Sequence, residues 1–279
     1  MKTRMWGDGL TPYHLLIHGT ASSGRIWLKM LEGADRQRPS ADPGPDRRCD
    51  HDQSRSVSPG TFIVPDLPGM GESELLPDLT FDRWVEETAA SVEEFLKATQ
   101  RDACTAKVHI VGHSLGAAVA MHLAPLEWVE SAALICPVTS AFCRRMREPH
   151  AQGGRPGSIR LRRVEGSLAY DPLALTREDA AMLRDDYHKA SGLLESGLPW
   201  PGFEASEARL LAGKRTLVVW GEKDDVVDPA YARELVDELR AAQVDVTAVS
   251  IPGCGHVPML ERPSELLRIL HEFWGGRGQ

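Results

Sequence analysis

The sequence predicts an α/β fold, a mostly parallel sheet with helices on both faces. Three observations predict it. Segments 13–18, 61–65, 107–112, 131–136, 215–221 and 244–251 are short, apolar and rich in β-branched residues, as strands covered on both faces must be. Helical patterns fall between them, and strand–helix alternation builds a parallel sheet. The chain has 279 residues, 42% hydrophobic and 26% charged, enough for one large core in an ordinary globular protein.

The clearest helix is 81–97, where Phe81, Trp84, Val85, Thr88, Ala89, Val92, Phe95 and Leu96 recur at helical spacing. Further patterns lie at 115–124, 229–242 and 263–274, with Pro229 and Pro263 near helix starts, where a missing N–H costs little. Trp27, Met70 and Trp84 read as core. Two stretches break the rhythm. Residues 33–60 are rich in Pro, Asp, Arg and Ser and nearly free of apolar residues, so a mobile inserted loop is expected. Residues 137–213 separate two strands by far more than a usual connection. They hold a helical pattern at 177–194 and the stretch LPWPGF at 198–203, and read as a lid over the sheet. The division is therefore a core of 1–136 and 214–279 with a lid of 137–213.

Composition excludes several function classes. A net charge of −8 argues against non-specific nucleic-acid binding. No apolar run approaches the roughly 18 residues of a membrane span, and the start MKTRMWGDGL lacks the apolar region of a secretory signal. Five scattered cysteines without a C-x-x-C pair suggest reduced thiols, hence the cytoplasm.

The chemistry begins at VHIVGHSLGAA, residues 108–118. Gly112-His113-Ser114-Leu115-Gly116 fits G-x-S-x-G between a strand and a helix, a context in which the serine sits on a strained turn with its hydroxyl exposed. The competing reading is a plain helix N-cap. A free hydroxyl is a poor nucleophile and needs a base and an acid behind it. Both candidates follow in the chain. After the strand RTLVVWG come Asp224, Asp225 and Asp228, and after the last strand His256 stands in the Gly-rich turn PGCGHVP. Each lies at the carboxyl end of a strand, the same rim as Ser114. Taken alone, the aspartates could cap the helix at Pro229 and His256 could be a surface histidine. The strand LLIHG ends in Gly19, where a turn can aim a backbone N–H inward. Thr20 is the first choice for that donor and Ala21 the second, and Leu115, after the serine, supplies the other N–H of an oxyanion hole.

With HG at 18–19, PDLPGMGES at 65–73, GHSLG at 112–116, WGEKDDVVDP at 220–229 and GCGHVPMLERP at 253–263, the chain resembles the α/β-hydrolase superfamily from residue 13 to about 274. The resemblance implies a mostly parallel eight-stranded sheet with a helical cap after strand six. The first strand is expected to be short or missing, because only about a dozen residues precede the HG strand. It implies Ser114 as nucleophile, His256 as base and Asp224 as acid, with Asp228 as fallback. Asp66 and Gly69-Met70-Gly71 become structural, and His18 orders the oxyanion loop. No metal or organic cofactor is implied.

The expected reaction is hydrolysis of a carboxylic ester or thioester through an acyl-enzyme. One alternative is non-hydrolytic or C–C bond-cleaving use of the same three side chains, as a lyase, C–C hydrolase or cyclase in small-molecule metabolism. Another is a small-molecule receptor on the same fold. Leu198, Trp200 and Phe203 either line an acyl pocket or anchor the lid. Arg144, Arg145, Arg147, Arg155, Arg160, Arg162 and Arg163 crowd the front of the lid. A solvated segment is the preferred reading there, and an acyl-carrier or other acidic partner the secondary one.

Overall fold

The computed structural model describes residues 1–7, 9–36, 60–99, 106–147, 168–201 and 206–276. In chain order its elements are β1 (Lys2–Trp6), β2 (Tyr13–Ile17), α1 (Leu28–Arg36), β3 (Thr61–Asp66), α2 (Phe81–Ala98), β4 (Val108–His113), α3 (Leu115–Leu123) and β5 (Val129–Ile135). Then come α4 (Ser140–Arg147), α5 (Arg177–Lys189), α6 (Ser191–Ser196), α7 (Glu207–Leu210), β6 (Arg215–Gly221), α8 (Pro229–Ala241), β7 (Val246–Ile251), α9 (Pro258–Glu261) and α10 (Pro263–Gly275).

The strands form one sheet in the order β1-β3-β2-β4-β5-β6-β7. Only β1 runs antiparallel, pairing Lys2 with Asp66 and Trp6 with Phe62 on β3. The eight-stranded expectation is thus corrected to seven strands among the described residues. A single antiparallel strand precedes β2 where a hairpin would be needed for eight, and the excursion at 137–213 follows the fifth strand. β1 is the first strand expected to be short or missing; it is present with five residues, none of them buried, and it lies at a sheet edge and carries Lys2 and Arg4, so no apolar run marks it.

Alternation along the central strands sorts the core into two layers. Leu15, Ile17, Ile110, Leu134 and Val218 face α2, α3 and α8. Leu16, Val111, Ala133, Ile135 and Val219 face α1 and α10. Trp84 is fully buried on the first face, and its indole N–H donates to Pro68 O at 3.0 Å, which removes the cost of burying a donor. Trp27 and Met70 are also fully buried, as their core assignment required.

Helix termini follow local chemistry. Thr80 caps α2 by accepting from Arg83 N. Thr176 and Asp179 close a reciprocal capping box at α5. The single helical pattern at 177–194 is two helices, broken at Ala190. Ser191 and Gly192 follow at once, both poorer helix formers than the run before them. Residues 33–36, read as the start of the insert, continue α1, and the rest of that insert up to residue 59 lies outside the described residues. No helix among the described residues is long and apolar enough to cross a membrane.

Candidate active site

Ser114 stands between β4 and α3 at φ 54°, ψ −118°, a left-handed backbone that costs a non-glycine residue about 1–3 kcal/mol. The surroundings hold it there. Ser114 N donates to Ile135 O at 2.9 Å, and Ser114 O accepts from Ala117 N at 3.0 Å and Val138 N at 3.2 Å. Its side chain makes no capping bond, so the N-cap reading fails: the hydroxyl is left for other work. The corner closes tightly because both flanking glycines are needed. A Cβ on Gly112 would lie 2.2 Å from Gly116 O, and one on Gly116 would lie 2.4 Å from His18 O.

His256 Nδ1 lies 2.7 Å from Asp224 Oδ2, with both side chains buried. The carboxylate accepts, so a neutral imidazole carries its proton on Nδ1 and presents a lone pair at Nε2. Asp224 Oδ1 accepts from Val226 N at 2.8 Å and Val227 N at 2.9 Å. Burial pushes the Asp224 carboxyl up. The charge of His256 and the hydrogen bonds from His256, Val227 and Val226 outweigh it and hold the group below the ordinary aspartate value. Asp225 is exposed. Asp228 caps α8 through Ala230 N, so the fallback acid is occupied elsewhere.

His113 joins the two halves. Its Nε2 lies 2.7 Å from His256 O, and the rings sit 4.8 Å apart. Burial, then the charge of His256, holds His113 down at about 3, so it stays neutral and Nε2–H is the donor. Ser114 is the next residue, which brings its hydroxyl and the imidazole of His256 to one corner. Among the described residues Ser114 Oγ makes no hydrogen bond to His256, a looseness that apo sites often show.

The loop after β2 is fixed from several sides. His18, fully buried, donates from Nδ1 to Gly19 O at 2.8 Å and accepts Leu67 N at Nε2 at 2.9 Å. Burial lowers its pKa despite Asp66 nearby, as expected of an ordering group and not a second base. Asp66 accepts Gly24 N at 2.7 Å and Arg4 Nη1 at 2.8 Å through Oδ1, and Glu72 N at 2.9 Å through Oδ2, the structural role read for it. Ala21 has φ 52° and donates its N–H to Met70 Sδ at 3.2 Å. That spends the second-choice donor on a weak acceptor. The N–H groups of Thr20 and Leu115 make no hydrogen bond among the described residues, so both first choices stand free where the loop meets the start of α3.

Sequence reasoning missed five supporting residues. Glu261, buried on α9, accepts Gly255 N through Oε1 and Tyr170 N through Oε2, each at 2.9 Å. Leu168 O accepts His256 N at 2.8 Å, so the segment entering α5 grips the histidine loop. Asp186, fully buried on α5, accepts Ser23 Oγ at 2.7 Å and Arg25 Nη2, tying the excursion to the loop after β2. His113 was visible only as the variable residue of G-x-S-x-G. Cys136, at φ 46° after β5, packs against Asp224 and His256. Glu261 alone had a signal, as the acid in MLERP. Leu198 and Trp200 are half-buried on the face of α2, α3 and α8, with Trp200 6.2 Å from Phe142. Phe203, Arg155, Arg160, Arg162 and Arg163 lie outside the described residues, as does the side chain of Arg147. Arg144 and Arg145 are exposed on α4.

Comparison with known proteins follows the same lines. The family model described as "Alpha/beta hydrolase family" matches residues 15–269. The dihydrolipoyllysine-residue acetyltransferase component of the acetoin cleaving system of Cupriavidus necator is 30% identical over 231 residues, 77% of this chain and 57% of that protein. Monoacylglycerol lipase abhd6-B of Xenopus laevis is 23% identical over 188 residues, 59% of this chain and 54% of that one. The chain thus spans little more than half the length of these relatives. The solved meta-cleavage product hydrolase of Pseudomonas fluorescens IP01 aligns over 98% of this chain and 94% of its own, at 20% identity and a TM-score of 0.65.

Proposed function

The chain belongs to the alpha/beta hydrolase family, and from that premise we propose that it is a serine hydrolase of a carboxylic ester or thioester. The observation that carries the reading is the buried His256–Asp224 pair at 2.7 Å, set beside a strained Ser114 whose hydroxyl caps nothing. His256 Nε2 takes the proton of Ser114 as its oxygen attacks the carbonyl carbon. Asp224 keeps the imidazole in the needed tautomer and stabilises the imidazolium. The N–H groups of Thr20 and Leu115 receive the oxyanion, each such donor being worth about 2.7–4 kcal/mol. His256 then protonates the leaving group and, in the second half, deprotonates the water that releases the acid.

Residues 137–213 act as a cap in this reading, with α4 to α7 above the rim and Leu198 and Trp200 on the acyl side of the site. The substrate is a small molecule, and the buried thiols of Cys136 and Cys254, outside any disulfide among the described residues, suit a reducing compartment such as the cytoplasm. The names of the lipase relative and of the acetyltransferase component both concern acyl groups, which favours acyl transfer over C–C cleavage.

The test is a panel of short and long p-nitrophenyl esters, acyl thioesters and vinylogous diketones, run on wild type and Ser114→Ala. Ester or thioester turnover that falls about 10⁴–10⁶-fold in the variant supports the reading. Turnover of the diketones alone, or a Ser114→Ala variant as active as wild type, overturns it.

A further inference from the structure

Cys136, Asp224 and His256 bring a thiol, a carboxylate oxygen and an imidazole nitrogen within 4.8 Å of one another, the one such trio among the described residues. We propose that these three side chains form an inhibitory site for a soft divalent cation, zinc by donor set and charge. The hydrolase reading underlies only the inhibition; the binding itself stands on the donors.

The His256–Asp224 pair is close to the spacing zinc requires, and the Cys136 thiol lies within 4.8 Å of both. Bonds of about 2.3 Å to sulfur and about 2.0–2.1 Å to nitrogen and oxygen, arranged tetrahedrally, place donors roughly 3.3–3.6 Å apart. His256 Nδ1 and Asp224 Oδ2, now at 2.7 Å, open by a fraction of an ångström to admit the ion. Cys136 is held in place for the third bond, its N–H donating to Val219 O at 2.7 Å on β6 and its φ of 46° turning the chain at the end of β5. The charges also close. A thiolate and a carboxylate neutralise Zn²⁺, so the occupied site has no net charge where burial would penalise one. Without the ion, burial and then the Asp224 charge keep the thiol protonated far above its ordinary range, and the cation removes the second of those causes.

Binding has a definite chemical result. The thiol proton leaves to solvent. The metal takes the Nδ1 lone pair, so the single proton of the neutral imidazole moves to Nε2. Nε2 then has no lone pair to accept the proton of Ser114, and Asp224 is bound to the metal. The hydrolytic step stops with no change in the substrate pocket, so the inhibition is not relieved by saturating substrate.

Two readouts test this, one of which does not need activity. In metal-free wild type, micromolar zinc chloride is expected to suppress p-nitrophenyl ester hydrolysis, with EDTA restoring the rate. Each Cys136 variant is compared with its own zinc-free rate. Cys136→Ala and Cys136→Ser are each expected to raise the half-inhibiting concentration at least about tenfold, the scale of losing support at a metal site. In the Ser114→Ala background, cobalt chloride is expected to give a thiolate-to-cobalt charge-transfer band that is absent from Ser114→Ala/Cys136→Ser. A band that survives that substitution, no band at all, or inhibition equal in wild type and both Cys136 variants overturns the proposal. A band without any esterase in wild type keeps the site and sinks only the hydrolase reading.

Discussion

The molecule buries histidines at both ends of its sheet, and the two groups are built on opposite principles. At the carboxyl rim, His18, His113 and His256 are each tied by hydrogen bonds: to Gly19 O and Leu67 N, to His256 O, and to Asp224. At the other end, His14 on β2 stacks with Phe62 at 5.0 Å, His109 at 5.3 Å and Trp274 at 3.9 Å. His271 of α10 faces the same indole at 5.7 Å. There ring faces are the main contact, although His109 Nδ1 also lies 2.8 Å from Ser131 Oγ, and His14 Nδ1 and His271 Nε2, like His113 Nδ1 at the rim, are buried without a partner. Burial of imidazole alone therefore does not mark a site. Direction does: a ring aimed by a carboxylate on one side leaves a usable lone pair on the other, whereas a stacked ring only fills volume.

The sharpest way to break this contrast is to remove the aim. Asp224→Asn keeps the shape and leaves His256 free to adopt the wrong tautomer, so kcat for a p-nitrophenyl ester should fall about 10⁴-fold; steady-state kinetics check it, and a loss below about tenfold would erase the distinction. The next effect is at Glu261. Glu261→Gln replaces an acceptor that faces Gly255 N and Tyr170 N with a group that is half donor. A displaced His256 loop should lower kcat by roughly ten- to a hundredfold with KM nearly unchanged. A purely structural role would instead lower Tm and leave kcat per folded molecule intact. Asp186→Ala deprives Ser23 and Arg25 of their buried acceptor. It should cost about 1–3 kcal/mol in urea unfolding and reduce kcat/KM by a smaller factor than Glu261→Gln.

The smallest effect belongs to the stacked group and has a definite sign. Burial, with the charges of His109 and His271, holds His14 well below its usual value. The unfolded chain therefore takes up the proton first. Stability is complete above the unfolded value near pH 6.5 and is lost as pH falls below it, by at most about 1.4 kcal/mol per pH unit for one group. His14→Phe removes that penalty. Urea unfolding should give a variant that holds its stability better than wild type between pH 6.5 and 4.5, with ester hydrolysis unchanged at pH 7.5. A parallel fall in both proteins would show that His14 is not the proton acceptor.

Legibility in the sequence followed the same division. Ser114, Asp224 and His256 stood out as candidates because each follows a strand whose apolar run is plain, and chain order supplied the rest. Thr20 and Leu115 followed from their offsets to Gly19 and Ser114. β1 was not legible, since this edge strand buries none of its residues and carries charge. Nor were Cys136 and Asp186, whose importance comes from residues 88 and 163 positions away in the chain. Such contacts leave no local pattern, because a buried carboxylate in a helix reads as one more polar position until the other side of the cleft is known.

The grip of Leu168 O on His256 N carries a consequence for anyone who would re-engineer specificity. A chimera that exchanges the whole stretch between β5 and β6 for another protein's would discard the carbonyl that seats His256, and in the proposed hydrolase would lose turnover for reasons unrelated to the new pocket. Grafts that begin after Asp171 keep that anchor, but the incoming helix must still bring a buried acceptor to Ser23 and Arg25 where Asp186 now stands.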